Sequence, residues 1–484
     1  MIHKINYRGQ YPKPRTCRIH YLSFLLNYYL QQSITRVAHA LLKSEIHSGW
    51  GLHPRIETRV VRAQQADQLV DGHPDASLLI QGARRSYGDA CLADRVISTQ
   101  LLGHLLEFDA ERGLIRCEAG ITLDVLIAFI APRGFFLPVT PGTKFPTIGG
   151  CVAADVHGKN HHKEGSIGFF VEEIELFLAD RSRVCCSREE RSELFWATIG
   201  GMGLTGAIYA VTLRLKKVEN TYMRTRTLKT RNFDELCHHF EETQQEYTYS
   251  VAWIDSLANG AHLGRGSLIL GEHATADQAP TSKRFKLHST GGPSVPFFFP
   301  SATLNGLTMR LFNTLVYHRQ IRQQRDATVH YDPYFYPLDF VRHWNRIYGK
   351  RGFLQYQFAV PFDGGRTLMG DILQRIARRG VASFLTVLKT LGQESGGLLS
   401  FPIPGYTLAL DIPLRDPSVI SFLQDITRLV VQAGGRIYLA KDAILQRADF
   451  EAMYPRLAEF KRVKRACDPH NRFRSLQSER LGLT

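Results

Sequence analysis

The pattern of hydrophobic and polar positions changes its period several times along the first half of the chain. Residues 57–61 alternate apolar and polar side chains, as half-buried strands do, whereas residues 122–131 repeat apolar side chains at helical spacing. Residues 64–72 are predicted to form a short helix, and residues 77–80 a buried strand that leads into a glycine-containing turn. Helices and strands continue to alternate through Leu215. This alternation predicts an α+β fold.

A second block follows, residues 219–435, in which strand-like runs are separated by aromatic and proline-rich loops. Strands are predicted at residues 249–254, 353–360 and 407–412. The loop SVPFFFPS, residues 294–301, has two interpretations that the sequence leaves open. It is either a lipid-facing loop or a proline-bounded loop of the core.

The first 45 residues differ from the rest of the chain. Residues 1–44 contain seven Lys or Arg residues and no Asp or Glu. The apolar run at residues 19–30 is interrupted by polar side chains, and it is shorter than the roughly 20 apolar residues that a spanning helix needs. The same run matches the pattern of a signal peptide poorly. The segment is therefore interpreted as an amphipathic membrane-surface anchor, or as an extension that is disordered or absent from the mature protein.

Composition and charge narrow the classes of partner. Of the 484 residues, 44% are hydrophobic and 22% are charged, which is ordinary for a globular protein, but the formal net charge is +15. No basic run is interleaved with aromatic residues, and no nucleic-acid-binding module is visible, so nucleic acid is not expected. The excess of basic over acidic residues instead favours a phosphate-bearing ligand or an anionic lipid surface. The eight cysteines show no CxxC spacing, which favours reduced thiols.

The stretch with the clearest chemical meaning is PVTPGTKFPTIGGCVAADVHGKNHHKEGSIG, residues 138–168. Paired glycines, Gly149 and Gly150, are followed by small and apolar residues. This arrangement lets main-chain amides face a ligand, and concave runs of amides bind phosphate oxygens well. Two further glycine-containing stretches, residues 78–92 and 193–215, flank it in the sequence.

One glycine pattern in the last of these stretches imitates a dinucleotide fingerprint. Gly201, Gly203 and Gly206 match GxGxxG, which requires a strand before it and a helix after it. Here a helix-like ELFWAT precedes the pattern, and an alternating strand, residues 207–215, follows it. The order of elements is therefore wrong for a Rossmann fold.

The histidines of HGKNHH have spacings that resemble a metal site. His157, His161 and His162 are interrupted by Gly158 and Asn160, which are poor helix formers. No cysteine or acidic cluster supplies the remaining ligands. No metal is predicted.

A set of motifs makes the chain similar to a known family. The motifs are GARRSYGDA, TPGT, TIGG, HGKNHH, ELFWATIGG, GLTG, FLQYQF, LSFPIPG, YLAKD and AMYPRL. With them, residues 49–483 resemble the two-domain FAD-dependent oxidases of the vanillyl-alcohol oxidase type. Within this family the chain most resembles the decaprenylphosphoryl-ribose oxidase group, to which the D-arabinono-1,4-lactone oxidases are related. The resemblance implies a PCMH-type FAD-binding domain at residues 46–218 plus 436–484, and an antiparallel-sheet substrate domain at residues 219–435.

The resemblance also implies the cofactor and its contacts. FAD is expected to be bound without a covalent bond, because Arg85 stands where covalent relatives have histidine. The implied FAD-binding residues are Ile80, Gln81, Gly82, Ala83, Arg84, Arg85, Ser86, Tyr87, Gly88, Asp89, Ala90, Gly142, Thr147, Ile148, Gly149, Gly150, Ala154, Asp155, Val156, His157, Ile208 and Tyr438.

Catalytic and substrate-binding residues are implied in the same way. The catalytic residues are expected to be Lys441, His157 and Tyr87, with Lys441 as base or alkoxide partner if burial lowers its pKa. The substrate-binding residues are expected to be Lys159, Gln357, Lys389, Thr407, Ala409 and Lys441. Ala409 and Thr407 depart from the family pattern, in which well-known members have cysteine and asparagine, and this puts the exact substrate in doubt.

The implied activity is oxidation of a secondary sugar hydroxyl to a ketone, with the redox chemistry supplied by the flavin. The expected substrate is a polyprenylphosphoryl-ribose, oxidised at its 2′-OH as the first half of an epimerisation that a separate NAD(P)H-dependent reductase completes. The expected location is the cytoplasm or the inner membrane surface, without a transmembrane helix. Two alternatives remain: an aldonolactone oxidase, and a non-catalytic flavin-binding scaffold.

Overall fold

The computed structural model describes residues 44–70, 77–280, 284–288, 291–300, 303–381 and 383–484. The predicted N-terminal extension lies outside the described residues except at its last two positions. The remaining chain forms three sheets and a two-stranded ribbon, with helices packed between and over them.

The first sheet has four strands in the order β1-β2-β4-β3. Both β2 and β3 run parallel to β4, which therefore lies between them and is almost fully buried. The strands are β1 Ser44–Ser48, β2 Arg55–Arg62, β3 Leu79–Gln81 and β4 Arg95–Ser98.

The second sheet is antiparallel and has five strands in the order β5-β6-β10-β8-β9. Its central strand β10 reads AIYAVTLR and is buried at most positions, because sheet neighbours and helices cover it. The strands are β5 Leu105–Asp109, β6 Leu114–Glu118, β8 Val171–Phe177, β9 Arg183–Ser187 and β10 Ala207–Arg214, and the ribbon pairs β7 Phe135–Phe136 with β11 Lys216–Lys217.

The third sheet has eight antiparallel strands in the order β15-β12-β14-β13-β17-β18-β16-β19. Alternation along β16 turns Tyr356 and Phe358 toward a hydrophobic core and Gln355 and Gln357 to the opposite face. The strands are β12 Tyr222–Thr230, β13 Tyr249–Ile254, β14 Gly266–His273, β15 Gln324–His330, β16 Phe353–Pro361, β17 Thr386–Leu391, β18 Gly405–Pro413 and β19 Arg436–Ile437.

Helices cover one face of the third sheet. The apolar sides of α5, α8 and α9 pack on that face, which leaves the other face free to form a wall of the site. The helices are α1 Leu123–Ile130, α2 Ile148–Ala153, α3 His161–Glu164, α4 Ser192–Thr198, α5 Phe233–Thr243, α6 Gly306–Arg319, α7 Tyr331–Phe335, α8 Gly365–Arg379, α9 Ser418–Gln432, α10 Arg447–Met453, α11 Leu457–Cys467 and α12 Leu476–Arg480.

The C-terminal segment packs on residues 78–92. Leu476 N donates to Leu92 O at 2.8 Å, and Phe473 forms an isolated parallel bridge with Leu78. Arg480 binds the carboxylates of Asp89 and Asp442, with N–O distances of 2.8 and 2.7 Å. These contacts join the last helix to the segment that follows the first glycine-containing turn.

The α+β class predicted from the sequence is confirmed. The predicted helix at residues 122–131 is α1, but the one predicted at 64–72 is a 3-10 helix, Ala66–Val70. A 3-10 helix stays short because its hydrogen-bond geometry is poorer than that of an α-helix. Residues 71–76 lie outside the described part. Among the described residues, no helix combines the length and the apolar character that a bilayer crossing requires.

Candidate active site

A cavity of about 540 Å³ lies between the glycine-containing segments and the free face of the eight-stranded sheet. One wall is made by residues 80–87 and, except for Lys144 and Ile148, by residues 141–150, which come from the end of β3, from turns and from the start of α2. The opposite wall is made by side chains of β16, β17 and β18 and by residues 438–441. Leu338, Asp339 and residues 341–344 line the cavity as well.

The first wall presents main chain. The backbone N–H groups of residues 83–86 donate no hydrogen bond within the described chain, although they line the cavity. Arg84 has a φ of 53°, so the run turns through a left-handed residue, as the anion-binding turns called nests do. Such a run of free amides is suited to the oxygens of a diphosphate.

Glycines bring this wall together. A Cβ at Gly82 would lie 2.3 Å from Oγ1 of Thr147, and a Cβ at Gly149 would lie 2.7 Å from Cβ of Ala119. By contrast, a Cβ at Gly142 would meet nothing within 4 Å. Gly82 and Gly149 therefore allow close packing, while Gly142 borders open space.

One cation on this wall lacks a partner. Nε of Arg85 is buried and has no hydrogen-bond partner among the described residues. Its guanidinium lies 4.2 Å from the ring centre of Trp50 and 5.2 Å from that of Phe145. Free amides and an unpaired guanidinium nitrogen on one wall of a cavity of this size fit FAD, whose diphosphate they would hold.

The opposite wall carries a chain of polar side chains that spans two strands. The Thr407 hydroxyl donates to Phe358 O at 2.8 Å, so its oxygen accepts from Nε2 of Gln357 at 3.2 Å. The same Nε2 lies 3.1 Å from Nε2 of His157. Burial holds the pKa of His157 well below its usual range, so the ring is neutral. Since its Nε2 accepts, the proton is on Nδ1.

This tautomer determines the state of the neighbouring lysine. Nδ1 of His157 lies 2.9 Å from Nζ of Lys389. An N–H group can donate there only if Lys389 is an uncharged amine with a free lone pair. Nζ donates in turn to Gly158 O at 3.2 Å. Burial, and next the charges of Lys159 and Lys441, lower the pKa of Lys389 to about 7, which agrees with a neutral amine.

A second lysine lies at the same end of the cavity. Nζ of Lys441 lies 3.8 Å from the ring centre of Tyr87, whose backbone N–H donates to Ala440 O at 2.9 Å. Burial lowers the pKa of Lys441 to about 7, although the carboxylate of Asp411 opposes this shift. Asp411 is fully buried and accepts from Nε2 of Gln355 at 2.5 Å. Its own pKa is raised by burial to about 7.

Two lysines with pKa values near neutrality therefore lie at one end of the cavity. Each can accept a proton from a hydroxyl group as a neutral amine, or stabilise an oxyanion as an ammonium ion. The tyrosine ring beside Lys441 has a pKa raised well above its usual value by burial, so its hydroxyl stays protonated.

Most residues predicted for the site line this cavity. They are Ile80, Gln81, Gly82, Ala83, Arg84, Arg85, Ser86, Tyr87, Ala90, Gly142, Thr147, Gly149, Gly150, Ala154, Val156, His157, Ile208, Gln357, Lys389, Ala409, Tyr438 and Lys441. Their roles toward cofactor and substrate stay predictions.

Six predicted residues are not part of the lining: Gly88, Asp89, Ile148, Asp155, Lys159 and Thr407. Gly88 packs on the backbone of Asp442, where an added Cβ would lie 1.8 Å from the carbonyl oxygen. Ile148 is buried in the core beside the five-stranded sheet. Thr407 meets the cavity only through Gln357.

The three charged members of this set bind other parts of the protein. Asp89 pairs with Arg480. Asp155 accepts from the hydroxyls of Ser166, Ser395 and Ser400 and from Gly168 N. Lys159 donates to Tyr334 O and lies 4.3 Å from the centre of that ring. The contacts of these three residues hold the walls of the cavity in place.

Several lining residues were not predicted. Gln355 lies two positions before Gln357 on β16 and shares its face, so strand alternation contains the signal for it. Residues 338–344 and Trp50 come from distant loops, and no local pattern marks them. Asp411 lies behind the lining and binds Gln355. No local pattern predicts this contact, because the two residues lie on different strands.

The histidines of HGKNHH do not converge on one point. The rings of His157 and His161 have centres 6.2 Å apart, and His162 binds the backbone of Tyr247 instead. Within the described ranges, no group of three His, Cys, Asp or Glu side chains is arranged to hold a metal ion.

Comparison with known proteins agrees with this geometry. A family model for an FAD binding domain matches residues 60–187, and one for D-arabinono-1,4-lactone oxidase matches residues 413–481. Decaprenylphosphoryl-beta-D-ribose oxidase of Mycolicibacterium smegmatis is 34% identical over 448 residues, covering 90% of this chain and 97% of that protein. An uncharacterised protein of Streptomyces coelicolor is 33% identical and covers 75% of this chain and 100% of its own length. Human Delta(24)-sterol reductase is 28% identical over 40% of this chain and 36% of its own.

Proposed function

The chain belongs to the family of decaprenylphosphoryl-β-D-ribose oxidase and is an FAD-dependent oxidoreductase, and from this membership we propose that it oxidises a secondary hydroxyl of a lipid-linked sugar to a ketone. The substrate that we propose is a polyprenylphosphoryl-ribose, oxidised at its 2′-OH. The residues present fit FAD, as the free amides and the unpaired Arg85 nitrogen indicate.

Bound FAD supplies the two-electron oxidation of the carbinol carbon. The protein has to orient the hydroxyl group, remove its proton and stabilise the developing oxygen charge. Neutral Lys389 or Lys441 accepts the proton, and the other lysine supplies a hydrogen bond to the oxygen. Gln357, which is held in place by its hydrogen bond to Thr407, orients the substrate hydroxyl group.

The observation that carries the proposal is the pair of lysines facing an amide-lined wall across one cavity. A flavin-binding scaffold without turnover has no need of buried lysines with lowered pKa values, because burying them unpaired costs free energy. Such perturbed groups concentrate at sites of chemistry.

The keto product that we propose needs a second enzyme if an epimerisation is to be completed. A ketone remains at the oxidised level, so completing an epimerisation needs a hydride donor. We propose that a separate NAD(P)H-dependent reductase reduces the keto sugar. The net charge of +15 favours a phosphorylated substrate and an anionic membrane surface.

A second candidate is an aldonolactone oxidase. It is favoured by the match of residues 413–481 to the D-arabinono-1,4-lactone oxidase family. That match covers β18 from its last residue onward and includes Tyr438 and Lys441, but it leaves out Gln357 and Lys389 on the sheet. The distinction therefore depends on what the sheet wall binds.

The test is anaerobic reduction of the bound flavin by a panel of compounds. Purified protein is mixed with polyprenylphosphoryl-ribose or with free aldonolactones, and bleaching of the yellow absorbance is followed. We expect bleaching by the lipid-linked ribose and a 2′-keto product. Bleaching by the lactones alone would assign the second candidate, and bleaching by neither would favour the scaffold.

The cofactor is expected to be held without a covalent bond. Arg85, which occupies the turn position where covalent relatives have histidine, cannot form the usual histidyl link. Acid precipitation should therefore release the yellow colour into the supernatant. Colour that remains in the pellet would contradict this expectation.

A further inference from the structure

Helix α6 exposes a row of large apolar side chains. Leu307, Leu311 and Leu315 are 78%, 62% and 63% exposed, and Phe312 is 44% exposed. Ile321, just after the helix, is 90% exposed. We call these five residues the leucine face. Contiguous exposed apolar side chains of this size mark interaction surfaces more often than scattered ones do.

The leucine face is the outer side of an anchored helix. Met309, Asn313 and Tyr317 lie at the same four-residue spacing on the opposite side and are buried. Asn313 donates to the carboxylate of Asp255 at 2.9 Å, which fixes the rotation of the helix. The leucines therefore point outward because other residues hold the inner side.

The stretch of sequence that contains the leucine face is basic. Residues 278–325 contain seven Lys or Arg residues and no Asp or Glu. At 3.6 residues per turn, Arg310 and Arg319 lie about 100° to one side of Leu311 and about 80° to the other. Arg310, Arg319, Arg322 and Arg325 are exposed and form no ion pair within the described chain.

The leucine face continues toward the mouth of the cavity. The ring of Phe312 lies 5.8 Å from that of Phe384, which lies 6.4 Å from Trp344. Trp344 lines the cavity. Leu304, two residues before the helix, packs in the same cluster as Trp344. An apolar path therefore connects the outer side of α6 with the site.

A second exposed apolar group lies along the same rim. Phe340, between the lining residues Asp339 and Val341, is 67% exposed, and Phe297 is 62% exposed. The loop that holds Phe297 is tied to the rim, since Val295 N donates to Arg342 O at 2.9 Å. Apolar side chains thus stand out beside the cavity as well as on α6.

We propose that the leucine face, flanked by its unpaired arginines, docks on an anionic phospholipid bilayer and directs the cavity mouth to it. The proposal rests on the proposed function, because a lipid-linked sugar must reach the site from a membrane. A bilayer accepts a convex stripe one helix wide, with arginines at the headgroups and leucines among the acyl chains. A protein partner would need about 800 Å² of complementary surface on each side, which a single convex helix does not offer.

The first experiment is co-sedimentation of the full chain with vesicles of phosphatidylcholine alone or of phosphatidylcholine and phosphatidylglycerol in equal parts. We expect binding to the anionic vesicles only, and weaker binding as salt rises. The double variant Leu311→Glu, Leu315→Glu should bind the anionic vesicles at least about tenfold more weakly, since each leucine loses its burial in lipid. The matched control is Leu106→Glu, Val125→Glu, which changes two exposed apolar residues away from α6 and should bind as the unchanged chain does.

The second experiment uses the unchanged protein and does not depend on variants that fold. Hydrogen exchange with and without anionic vesicles should show new protection concentrated at residues 303–325. Equal vesicle binding by both double variants, or protection elsewhere, would overturn the proposal. So would a stable complex of α6 with a protein partner that excludes vesicles.

The outcome is separable from that of the proposed function. Flavin reduction is measured with substrate dissolved in detergent, where docking plays no part. Reduction by polyprenylphosphoryl-ribose in detergent, combined with vesicle binding that ignores the leucine substitutions, would leave the activity standing and remove the docking surface. Vesicle binding through α6 without any flavin reduction would do the reverse.

Discussion

The two walls of the cavity recognise ligands by different means. The wall of residues 80–87 and 141–150 offers the free main-chain amides of residues 83–86 and close glycine contacts. The sheet wall offers side chains, with Gln357, Lys389 and Ala409 on three neighbouring strands. On the backbone wall, a substitution is tolerated if it adds no atoms at the close glycine contacts. On the sheet wall, a substitution is tolerated if it keeps the polar or charged group that acts on the substrate.

This difference separates holding a cofactor from doing chemistry. Contacts made by many amides share the binding free energy, so no single side chain on that wall is essential. Proton transfer at the other wall depends on one or two groups. Substitutions on the first wall should therefore weaken FAD binding, and substitutions on the sheet wall should slow flavin reduction.

Gly149→Ala is expected to impair cofactor binding at the backbone wall. A Cβ there would lie 2.7 Å from Cβ of Ala119 and 3.0 Å from its carbonyl oxygen, so α2, which forms part of the first wall, must move away from Ala119. Overpacking of this kind costs roughly 1–3 kcal/mol, and FAD affinity should fall about tenfold or more. The FAD content of desalted protein measures this. Gly370→Ala, whose Cβ meets its nearest neighbour at 3.9 Å, is the matched control and should keep its FAD. Full FAD content in both variants would contradict the account.

Lys441→Ala should separate the two functions of the site. The variant keeps its FAD because the amide wall is untouched, but flavin reduction by substrate should slow by about 100- to 10,000-fold, the usual contribution of a positioned base. Anaerobic stopped-flow absorbance measures the rate. Lys350→Ala, at an exposed lysine outside the cavity, should reduce its flavin normally. Normal reduction in Lys441→Ala would show that another group accepts the proton.

The pH dependence of flavin reduction tests whether a neutral lysine is the base. Burial lowers the pKa of both lysines to about 7, and a lysine accepts a proton only as the neutral amine. The rate of flavin reduction should therefore rise with pH, with a midpoint near 7, and level off above it. In Asp411→Asn the midpoint should move to lower pH, because the carboxylate that raises the pKa of Lys441 is gone. A rate independent of pH would exclude both amines as the base.

The sequence predicts the backbone wall better than the sheet wall. Glycine density and small residues mark residues 138–168 as a place where amides meet a ligand, and the structure places part of this stretch along the cavity. The N–H groups of Gly149 and Gly150, however, donate within the chain, to Ala119 O and to Oγ1 of Thr147, and the free amides are those of residues 83–86. The signal is local because the property belongs to consecutive residues. The resemblance supplied Gln357 and Lys389, since nothing near either residue in sequence marks it as part of a site.

The remaining site residues depend on tertiary packing. Asp411 meets Gln355 only because β16 and β18 pair in one register. Residues 338–344 reach the cavity through the fold of a loop, and the outward leucines of α6 are distinguished from core residues only by what packs behind them. A helix read from its spacing alone does not reveal which side faces the protein.

The smallest effect is expected from Thr407→Val, which tests the hydrogen-bond chain of the sheet wall. Without the hydroxyl, Gln357 loses the partner that fixes its amide, and the amide can turn its oxygen to His157. Nδ1 of His157 then accepts, and Lys389 is stabilised as an ammonium ion. Loss of one buried hydrogen bond is worth about 1 kcal/mol, so flavin reduction near pH 7 should slow by about fivefold. The midpoint of the pH profile should move upward, because a more stable ammonium ion has a higher pKa.

The matched control for this change lies on the neighbouring strand. Oγ1 of Thr390 is buried without a hydrogen-bond partner among the described residues, so Thr390→Val removes a hydroxyl and no hydrogen bond. It should leave both the rate and the midpoint unchanged. A slower rate without a shifted midpoint in Thr407→Val would mean that the threonine only supports packing. A shifted midpoint in that variant alone would show that the chain from Thr407 through Gln357 and His157 sets the protonation of Lys389.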